Sequence, residues 1–250
     1  MIIEAEAITH TGNLRYSNED SLLIDNLILN GISTEKPIIR KVKLPAVIGI
    51  ADGMGGHRAG HIASEIALFS VKECFKNGIK EPETLIEKAK ESLEENIKSF
   101  PERYGMGTTL SIMLFESENK AEIAHVGDTR IYRISDGIEL LTEDHTEAWE
   151  LYKKGLIGYE DIKKYPTRNI LTSAVIADNY NSKPKIFKRR IEIESEDVFL
   201  LCSDGFWEYF KDEEIYRYVK EKSSLYLLKE CLSRGGHDNI SFIICKIRDD

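Results

Sequence analysis

The 250-residue sequence lacks long apolar runs, has no excess of positive charge and contains few histidines and cysteines. No apolar run approaches the roughly 20 residues that a membrane-spanning helix needs, so we expect no membrane segment. Lysine and arginine total 34 against 43 aspartate and glutamate residues, a net charge of −9. This balance argues against binding to nucleic acid or to an anionic membrane, which usually requires a basic patch.

The N-terminus and the cysteines indicate where the protein works. The first residues alternate with acids and show neither a basic region nor an apolar core, so we expect no signal peptide. The four cysteines have no paired spacing, and most lie in apolar helix or strand patterns. We therefore expect reduced, buried thiols and a cytoplasmic protein. They are Cys74, Cys202, Cys231 and Cys245.

Length and element order indicate the fold class. Apolar residues make up 42% and charged residues 31% of the chain, as in ordinary globular proteins. The length fits one domain, residues 1–250, better than two. The predicted order is β-rich, two helices, β-rich, a loose segment, a strand, two helices and a strand. This order indicates an α+β fold with a central antiparallel β-sandwich flanked on each side by a helix pair.

Several elements can be placed individually. Apolar stripes of helical period predict helices at Ala59–Lys76 and Pro82–Phe100. Residues 21–30 are predicted to form one strand. Four strands from Thr108 to Leu141, joined by short turns, are expected to form an antiparallel meander. Residues of about 145–184, with short helical pieces that include 168–174, are predicted to be a flap inserted between strands.

Acidic residues recur where apolar strands begin or end. A strand at residues 46–51 is predicted to stop at Asp52-Gly53, and the strand Val198–Cys202 precedes Asp204-Gly205. Singly, such an Asp-Gly is most often only a turn. Asp128 could equally be a turn residue or a partner for Arg130. The full set of acids at strand ends is Glu19, Asp20, Asp52, Asp128, Asp204 and Asp238.

We hypothesise that these acids meet and bind divalent metal. None has a lysine or arginine partner at helical spacing, and clustered carboxylates without cations repel one another. Oxygen ligands with few nitrogens favour Mg²⁺ or Mn²⁺ over zinc. Two ions roughly 3.5–4 Å apart can lower the pKa of a bridging water and hold a phosphoryl group.

Eight motifs carry a resemblance to a known family, and the resemblance runs from about residue 4 to residue 247. Their order resembles that of the metal-dependent serine/threonine protein phosphatases, the type 2C or PPM family, and its compact bacterial branch. They are Arg15-x-x-Asn-Glu-Asp20, Asp52-Gly-Met-Gly-Gly56, Gly107-Thr-Thr109, Val126-Gly-Asp-Thr-Arg130, Leu141-Thr-x-Asp-His145, Arg168-Asn-x-Leu-Thr172, Ser203-Asp-Gly205 and Gly235-Gly-x-Asp-Asn239.

The resemblance implies a dinuclear Mn²⁺ or Mg²⁺ site at one end of the sandwich. It also implies a third, weaker metal position. Asp52 would bridge the two ions, Asp204 and Asp238 would complete one of them, and the Gly53 carbonyl would serve the other. Glu19 and Asp20 would act near the second ion, partly through water. Asp128 with Asp204 would match the third position.

The resemblance also implies how substrate is handled. Arg15 would clamp the substrate phosphate, a task that suits its planar fork of donors. The alternative for Arg15 is an ordinary ion pair with Glu19. The nucleophile would be the water between the metals, so no covalent phosphoenzyme is expected. Substrates would be phosphorylated proteins, the counterpart a serine/threonine kinase, and the protein a monomer.

Some residues depart from the family pattern and keep alternatives open. Many eukaryotic members of the family have a histidine, a proposed general acid, where this chain has Met54, although His57 and His61 are near in sequence. An active phosphatase is one hypothesis. A second is an inactive relative that binds phosphoproteins as a regulatory module. A third, a nucleotide or small-ester phosphohydrolase, lacks a P-loop and any visible nucleotide pocket.

Overall fold

The computed structural model describes residues 1–54, 59–117, 119–178 and 182–249. Two antiparallel sheets pack face to face, and helices cover both outer faces. The predicted αββα class is confirmed. Gly55, Gly56 and His57, which belong to the Asp52 segment of the sequence analysis, lie outside the described residues. Within the described helices, none is long and apolar enough to cross a membrane.

The first sheet has six strands and joins the two ends of the chain. Its strands are β1 Ile2–His10, β4 Ile38–Lys43, β9 Arg130–Ile134, β10 Ile138–Leu140, β13 Val198–Cys202 and β14 Ile240–Arg248. Their spatial order is β10-β9-β13-β14-β1-β4, and β1 pairs with β14 over its whole length.

The second sheet has eight strands. Its strands are β2 Asp20–Ile24, β3 Leu27–Asn30, β5 Ala46–Met54, β6 Gly107–Thr108, β7 Leu110–Ser117, β8 Lys120–Val126, β11 Val175–Ile176 and β12 Phe187–Glu192. Their main spatial order is β11-β6-β5-β7-β8-β12, and β2 pairs with both β3 and β5.

Strand alternation produces three apolar layers, because successive side chains of a strand point to opposite faces. In β14, Ile243 and Cys245 face the interior between the sheets, whereas Phe242 and Ile244 face helices. In β5, Ile48 and Ile50 face the interior and Val47 faces the other helix pair. These β-strands are therefore buried on both faces, which explains their nearly continuous apolar sequences.

The helices form one pair on each outer face. Those on the eight-stranded sheet agree with the prediction to within one residue at each end, and the two pairs bury separate apolar clusters. A short helix, α4, precedes the second pair. The helices are α1 Gly60–Lys76, α2 Pro82–Ser99, α3 Glu147–Lys153, α4 Asp204–Trp207, α5 Asp212–Glu221 and α6 Ser224–Ser233.

Two predictions about how consecutive strands are connected are wrong. Residues 21–30 form the hairpin β2–β3 rather than one strand, because Asp25-Asn26 makes a two-residue turn in which Asp25 has φ of 52°. Asp and Asn tolerate this left-handed conformation better than most residues. The expected meander also breaks, since β8 lies in the second sheet and β9 in the first. The chain changes sheets at Gly127, whose φ of 111° most side chains avoid.

Residues 145–184 contain α3, a 3₁₀ helix at Tyr159–Lys164 and β11, which pairs with β6. The expected helical piece at 168–174 is wrong, because those residues form turns and an isolated bridge between Thr146 and Leu171. Trp149 and Ile162 are buried in a small apolar cluster of this segment. The segment is therefore packed on its own core as well as on the sandwich.

Candidate metal centre

A cavity of about 690 Å³ opens beside the strand ends, and five carboxylates from separate segments line it. Five of the six acids that the strand-end pattern singled out therefore line one cavity. A guanidinium, Arg15, lines the same cavity. The carboxylates are those of Glu19, Asp52, Asp128, Asp204 and Asp238.

Asp52 is held by strand pairing, not by a turn. The prediction that β5 stops before Asp52 is wrong, since Asp52 pairs with Asp20 and the strand continues to Met54. The backbone amide of Asp52 donates to Thr109 Oγ1 at 2.9 Å, and its carbonyl accepts from the Thr109 amide at 2.9 Å. The carbonyl also accepts from Thr108 Oγ1 at 2.8 Å. These bonds fix the backbone from which the carboxylate projects.

The glycines after two of the acids are needed for close backbone approach. A Cβ at Gly53 would lie 2.1 Å from the Gly60 carbonyl oxygen and 2.7 Å from that of Glu19. A Cβ at Gly205 would lie 2.1 Å from the Asn239 carbonyl oxygen. Only glycine allows these backbones to come so near. The Asp-Gly pairs therefore bring the acidic segments together instead of reversing the chain.

Asp20 lies behind the cavity rather than on its wall. It is fully buried, and its Oδ2 accepts from Ser203 Oγ at 3.0 Å. Its Oδ1 is buried without a hydrogen-bond partner. Among the acids proposed from the sequence, Asp20 is thus the one that does not line the cavity, although it is the strand neighbour of Asp52.

Asp128 and Asp204 are linked through a buried network that the sequence analysis missed. Trp207, in the helix that begins at Asp204, donates its indole N–H to the Asp128 carbonyl at 2.9 Å. The Arg130 guanidinium stacks 3.7 Å from the Trp207 ring. Arg130 bonds to Asp144, at 2.7 Å, rather than to Asp128. The alternative that Asp128 is the partner of Arg130 is therefore wrong, whereas Asp128 does lie in the bend between β8 and β9.

Arg15 stands at the cavity mouth. Its Nη2 donates to Asp238 Oδ2 at 2.7 Å, so the expected alternative of an ion pair with Glu19 is wrong. Asn239 organises this region, because its Oδ1 accepts from the Glu19 amide and its Nδ2 donates to the Ser17 carbonyl. Asn239 belongs to the motif Gly235-Gly-x-Asp-Asn239, but the motif gives no indication that its side chain joins the segment at Ser17 and Glu19.

Burial and mutual repulsion dominate the electrostatics of the cluster. Burial, opposed by the Ser241 and Ser203 hydrogen bonds, raises the pKa of Asp20 to about 7. Burial and the charge of Asp144 raise the pKa of Asp128 to about 7. Burial, and then neighbouring carboxylates, hold the pKa values of Asp52 and Asp204 well above the ordinary range. Ionised carboxylates are thus disfavoured here unless cations offset them.

The donor set fits hard divalent cations. The Oδ1 atoms of Asp20 and Asp204 are buried and have no hydrogen-bond partner, an arrangement that is costly for a carboxylate. No histidine or cysteine lines the cavity among the described residues, which leaves oxygen donors. As the side chains stand, no group of three or more acids, histidines or cysteines in the described ranges is placed to hold an ion. Ligation by these residues therefore remains a prediction, supported by the two unpartnered oxygens.

Met54 lines the cavity. It stands where the family resemblance describes a histidine as the proposed proton donor. His61 lies in the first turn of α1 and is not on the cavity wall. Of the histidines that the structure describes, none is therefore placed to protonate a leaving group in this cavity.

Comparisons with known proteins agree with this arrangement. Residues 38–234 match the family model described as Protein phosphatase 2C. The chain is similar to the serine/threonine phosphatase stp of Listeria innocua, with 32% identity over 257 aligned residues that cover 97% of this chain and 95% of that protein.

Solved structures are similar over the whole chain. The serine/threonine phosphatase PstP/Ppp of Mycobacterium tuberculosis matches with a TM-score of 0.81, 25% identity and 100% coverage of both chains. A PstP catalytic domain solved in complex with two manganese ions matches with a TM-score of 0.77, 24% identity and 99% coverage of both chains. The latter likeness establishes a shared fold.

Proposed function

The chain belongs to the protein phosphatase 2C family and is a metal-dependent serine/threonine protein phosphatase, and we propose that the acidic cavity is its catalytic centre. The reaction is hydrolysis of phosphoserine and phosphothreonine in proteins. The observation that carries this assignment is the convergence of five carboxylates and one arginine in a single cavity. The manganese-bound PstP structure supports the choice of cation.

Two ions, Mn²⁺ or Mg²⁺, would neutralise the acids, polarise the phosphoryl oxygens and lower the pKa of a water. Asp52 lines the cavity, and the charges of Asp20, Asp204, Asp128 and Asp238 all act on it. We propose that Asp52 would contribute to both ions. We assign Asp204 and Asp238 to one ion.

The remaining ligands follow the positions of the other acids. We assign the Gly53 carbonyl and Glu19 to the second ion. The buried Asp20 would act near the second ion, partly through water. Asp128 with Asp204 would form the weaker third position.

Arg15 is proposed to bind the substrate phosphate. Its side chain is 56% exposed and is held by one carboxylate, Asp238. A guanidinium has five donors, so one can stay with Asp238 while others reach phosphate oxygens in parallel. This arrangement would orient the phosphate toward the acids that line the cavity.

Protonation of the leaving serine or threonine oxygen is assigned to solvent water. The described histidines do not line the cavity, and Met54 has no proton to give. Substrates with an acidic leaving group, such as aryl phosphates, need less protonation. The kcat for aryl phosphates should therefore exceed the kcat for alkyl phosphates by a larger factor than the difference in substrate binding.

The wider setting is also proposed. A phosphoprotein phosphatase implies an opposing serine/threonine kinase. The cysteines that the structure describes are unpaired, as suits a reducing, cytoplasmic environment. We further propose that the protein acts as a monomer. The alternative of a non-catalytic regulatory module is not favoured, because such a module has no need for a set of buried, mutually repelling acids.

The test is hydrolysis of a phosphothreonine peptide with added Mn²⁺ by wild type and by Asp204→Asn. Asp204→Asn should lower activity by about 10²-fold or more, because even supporting residues of metal sites contribute roughly 10–100-fold. In chelator, the same variant should be no less stable than wild type, since burial and nearby carboxylates disfavour the Asp204 charge. The matched control is Asp136→Ala, an exposed aspartate of the β9–β10 turn.

The outcomes separate function from ligand assignment. Wild-type protein inactive on phosphothreonine, and without heat of Mn²⁺ binding in calorimetry, would refute the phosphatase assignment. Full activity of Asp204→Asn beside an active wild type would refute the role of Asp204. Activity lost equally in Asp136→Ala would indicate damage unrelated to the cavity.

A further inference from the structure

The loop that carries Arg15 is pinned at both ends. The backbone amide of Asn13 donates to the Gly236 carbonyl at 2.6 Å, and the side-chain Nδ2 of Asn13 donates to the Leu232 carbonyl at 2.9 Å. At the other end, Asn239 Nδ2 donates to the Ser17 carbonyl at 2.9 Å. Three residues, 14–16, therefore project from a fixed base beside the cavity.

The two neighbours of Arg15 in this loop are exposed apolar residues. Tyr16 is fully exposed and Leu14 is 65% exposed, and Tyr16 is the most exposed large apolar side chain in the described ranges. Both line the same cavity as the acids. Exposed apolar groups that flank a binding site commonly mark a surface for a ligand.

Apolar groups also lie elsewhere on the cavity wall. Met54 and Leu171 line it, and Ile170, next to Leu171, is 49% exposed. The cavity therefore has an acidic floor and an apolar rim made by two loops and the end of β5. Its volume of about 690 Å³ lies within the range of roughly 300–1,000 Å³ that holds drug-sized ligands. The cavity can therefore hold neighbouring residues of a substrate as well as one phosphorylated side chain.

Charge alone would discriminate weakly among the neighbours of a phosphoresidue. Five carboxylates and one guanidinium line the cavity, so two divalent cations would bring its formal charge to zero. A lysine or a glutamate near the phosphoresidue would then gain or lose little through net charge. Apolar contact with the rim would then be the main cause of differences in binding between substrates.

We infer that Leu14 and Tyr16 select phosphoprotein segments with an aliphatic or aromatic residue within two positions of the phosphoserine or phosphothreonine. This inference rests on the proposed function. With the phosphate held at Arg15, the two rim residues lie directly on either side of it along the loop. In an extended peptide, side chains two positions apart face the same way, so neighbours of the phosphoresidue can reach this rim.

The test uses phosphothreonine peptides identical except for the two residues on each side, which are leucine, serine, lysine or glutamate. Wild type should have a kcat/KM for the leucine peptide roughly 5- to 10-fold above that for the serine peptide, as expected for partial burial of one apolar side chain. The lysine and glutamate peptides should resemble the serine peptide. Binding of the matching nonhydrolysable phosphonate peptides should show the same ranking.

The variant Leu14→Ser/Tyr16→Ser should reduce the leucine preference to about twofold or less. The matched control is Phe69→Ser, which removes an exposed aromatic side chain, 52% exposed, on α1 outside the cavity. It should keep the full preference. p-Nitrophenyl phosphate, which has no flanking residues, reports hydrolysis separately from peptide selection.

Each outcome decides between the inference and the proposed function. Equal kcat/KM for the leucine and serine peptides in an active wild type would overturn the inference and leave the phosphatase assignment intact. An unchanged preference in Leu14→Ser/Tyr16→Ser would also overturn it. No Mn²⁺-dependent hydrolysis of any peptide or of p-nitrophenyl phosphate would instead overturn the proposed function.

Discussion

The buried ion pair of Arg130 and Asp144 allows a quantitative test of the structure. Both side chains are fully buried, and the guanidinium makes contacts of 2.7–3.2 Å with both carboxylate oxygens. Arg130 also donates to Tyr132 Oη at 3.0 Å and stacks on Trp207. Removing either partner therefore leaves a charge without compensation in an apolar layer.

We expect Asp144→Leu to lower the free energy of unfolding by about 3–5 kcal/mol, the usual cost of breaking a buried pair. For a chain of this length, that loss corresponds to a melting temperature roughly 6–20 °C lower. The double variant Arg130→Met/Asp144→Leu should recover most of the loss. Replacing both charges with apolar groups is often neutral or stabilising by about 1–4 kcal/mol.

Arg130→Met should behave differently with pH. Burial already raises the pKa of Asp144, although Arg130 opposes the shift, so removing Arg130 raises that pKa further. A carboxyl whose folded pKa lies above its unfolded value stabilises the protein at low pH and loses that contribution as pH rises. Arg130→Met should therefore fall furthest below wild type near neutral pH and approach it in acid.

The assay is urea unfolding in chelator, followed by tryptophan fluorescence, for wild type, both single variants and the double variant. Lys88→Met, which breaks an exposed pair with Glu91, is the control and should cause no measurable loss. A double variant that loses the sum of the two single losses would refute the reasoning. Single losses no larger than that of the control would refute it as well.

Two further predictions concern backbone approach and buried histidine. Gly205→Ala should cost about 1–3 kcal/mol of stability in thermal or urea unfolding, because its Cβ would lie 2.1 Å from the Asn239 carbonyl oxygen. Gly137→Ala, with nothing within 4 Å, should stay within about 0.5 kcal/mol of wild type, and equal losses would contradict the close packing. Burial lowers the pKa of His125 to about 3. As pH falls from 6.5 toward 3, the unfolded chain takes up a proton at His125 that the folded chain does not. The free energy of unfolding should therefore fall by up to about 1.4 kcal/mol per pH unit. Relative to wild type, His125→Gln should therefore gain stability over that range in pH-dependent unfolding, and a constant difference would disprove the burial of a neutral imidazole.

Much of the fold follows from local pattern. Period-two alternation and helical stripes predicted the helix pairs and most strands, because a strand or helix buries residues according to its own geometry. α1 and α2 begin and end within one residue of the prediction. Acids at strand ends, together with the motif order, also predicted a shared acidic cavity, and five of the six acids line it.

Other features depend on which segments pair across the chain, and no local pattern encodes that. The change of sheet at Gly127 and the continuation of β5 through Asp52 are set by hydrogen bonds between strands that are distant in the sequence. Local alternation is the same whichever sheet a strand joins. The prediction of an unbroken meander therefore failed at β9, although its strand was located correctly.

The environments of the charged residues were likewise decided by the tertiary structure. Asp20 and Asp52 are direct neighbours across the β2–β5 pair, yet only Asp52 lines the cavity, whereas Asp20 is fully buried. Arg15 bonds to Asp238, 223 residues away, rather than to Glu19. Sequence determined which chemical groups this protein has and the elements that carry them. Their partners, burial and pKa values arise only when β5, β13 and β14 bring the acidic segments together in the folded chain.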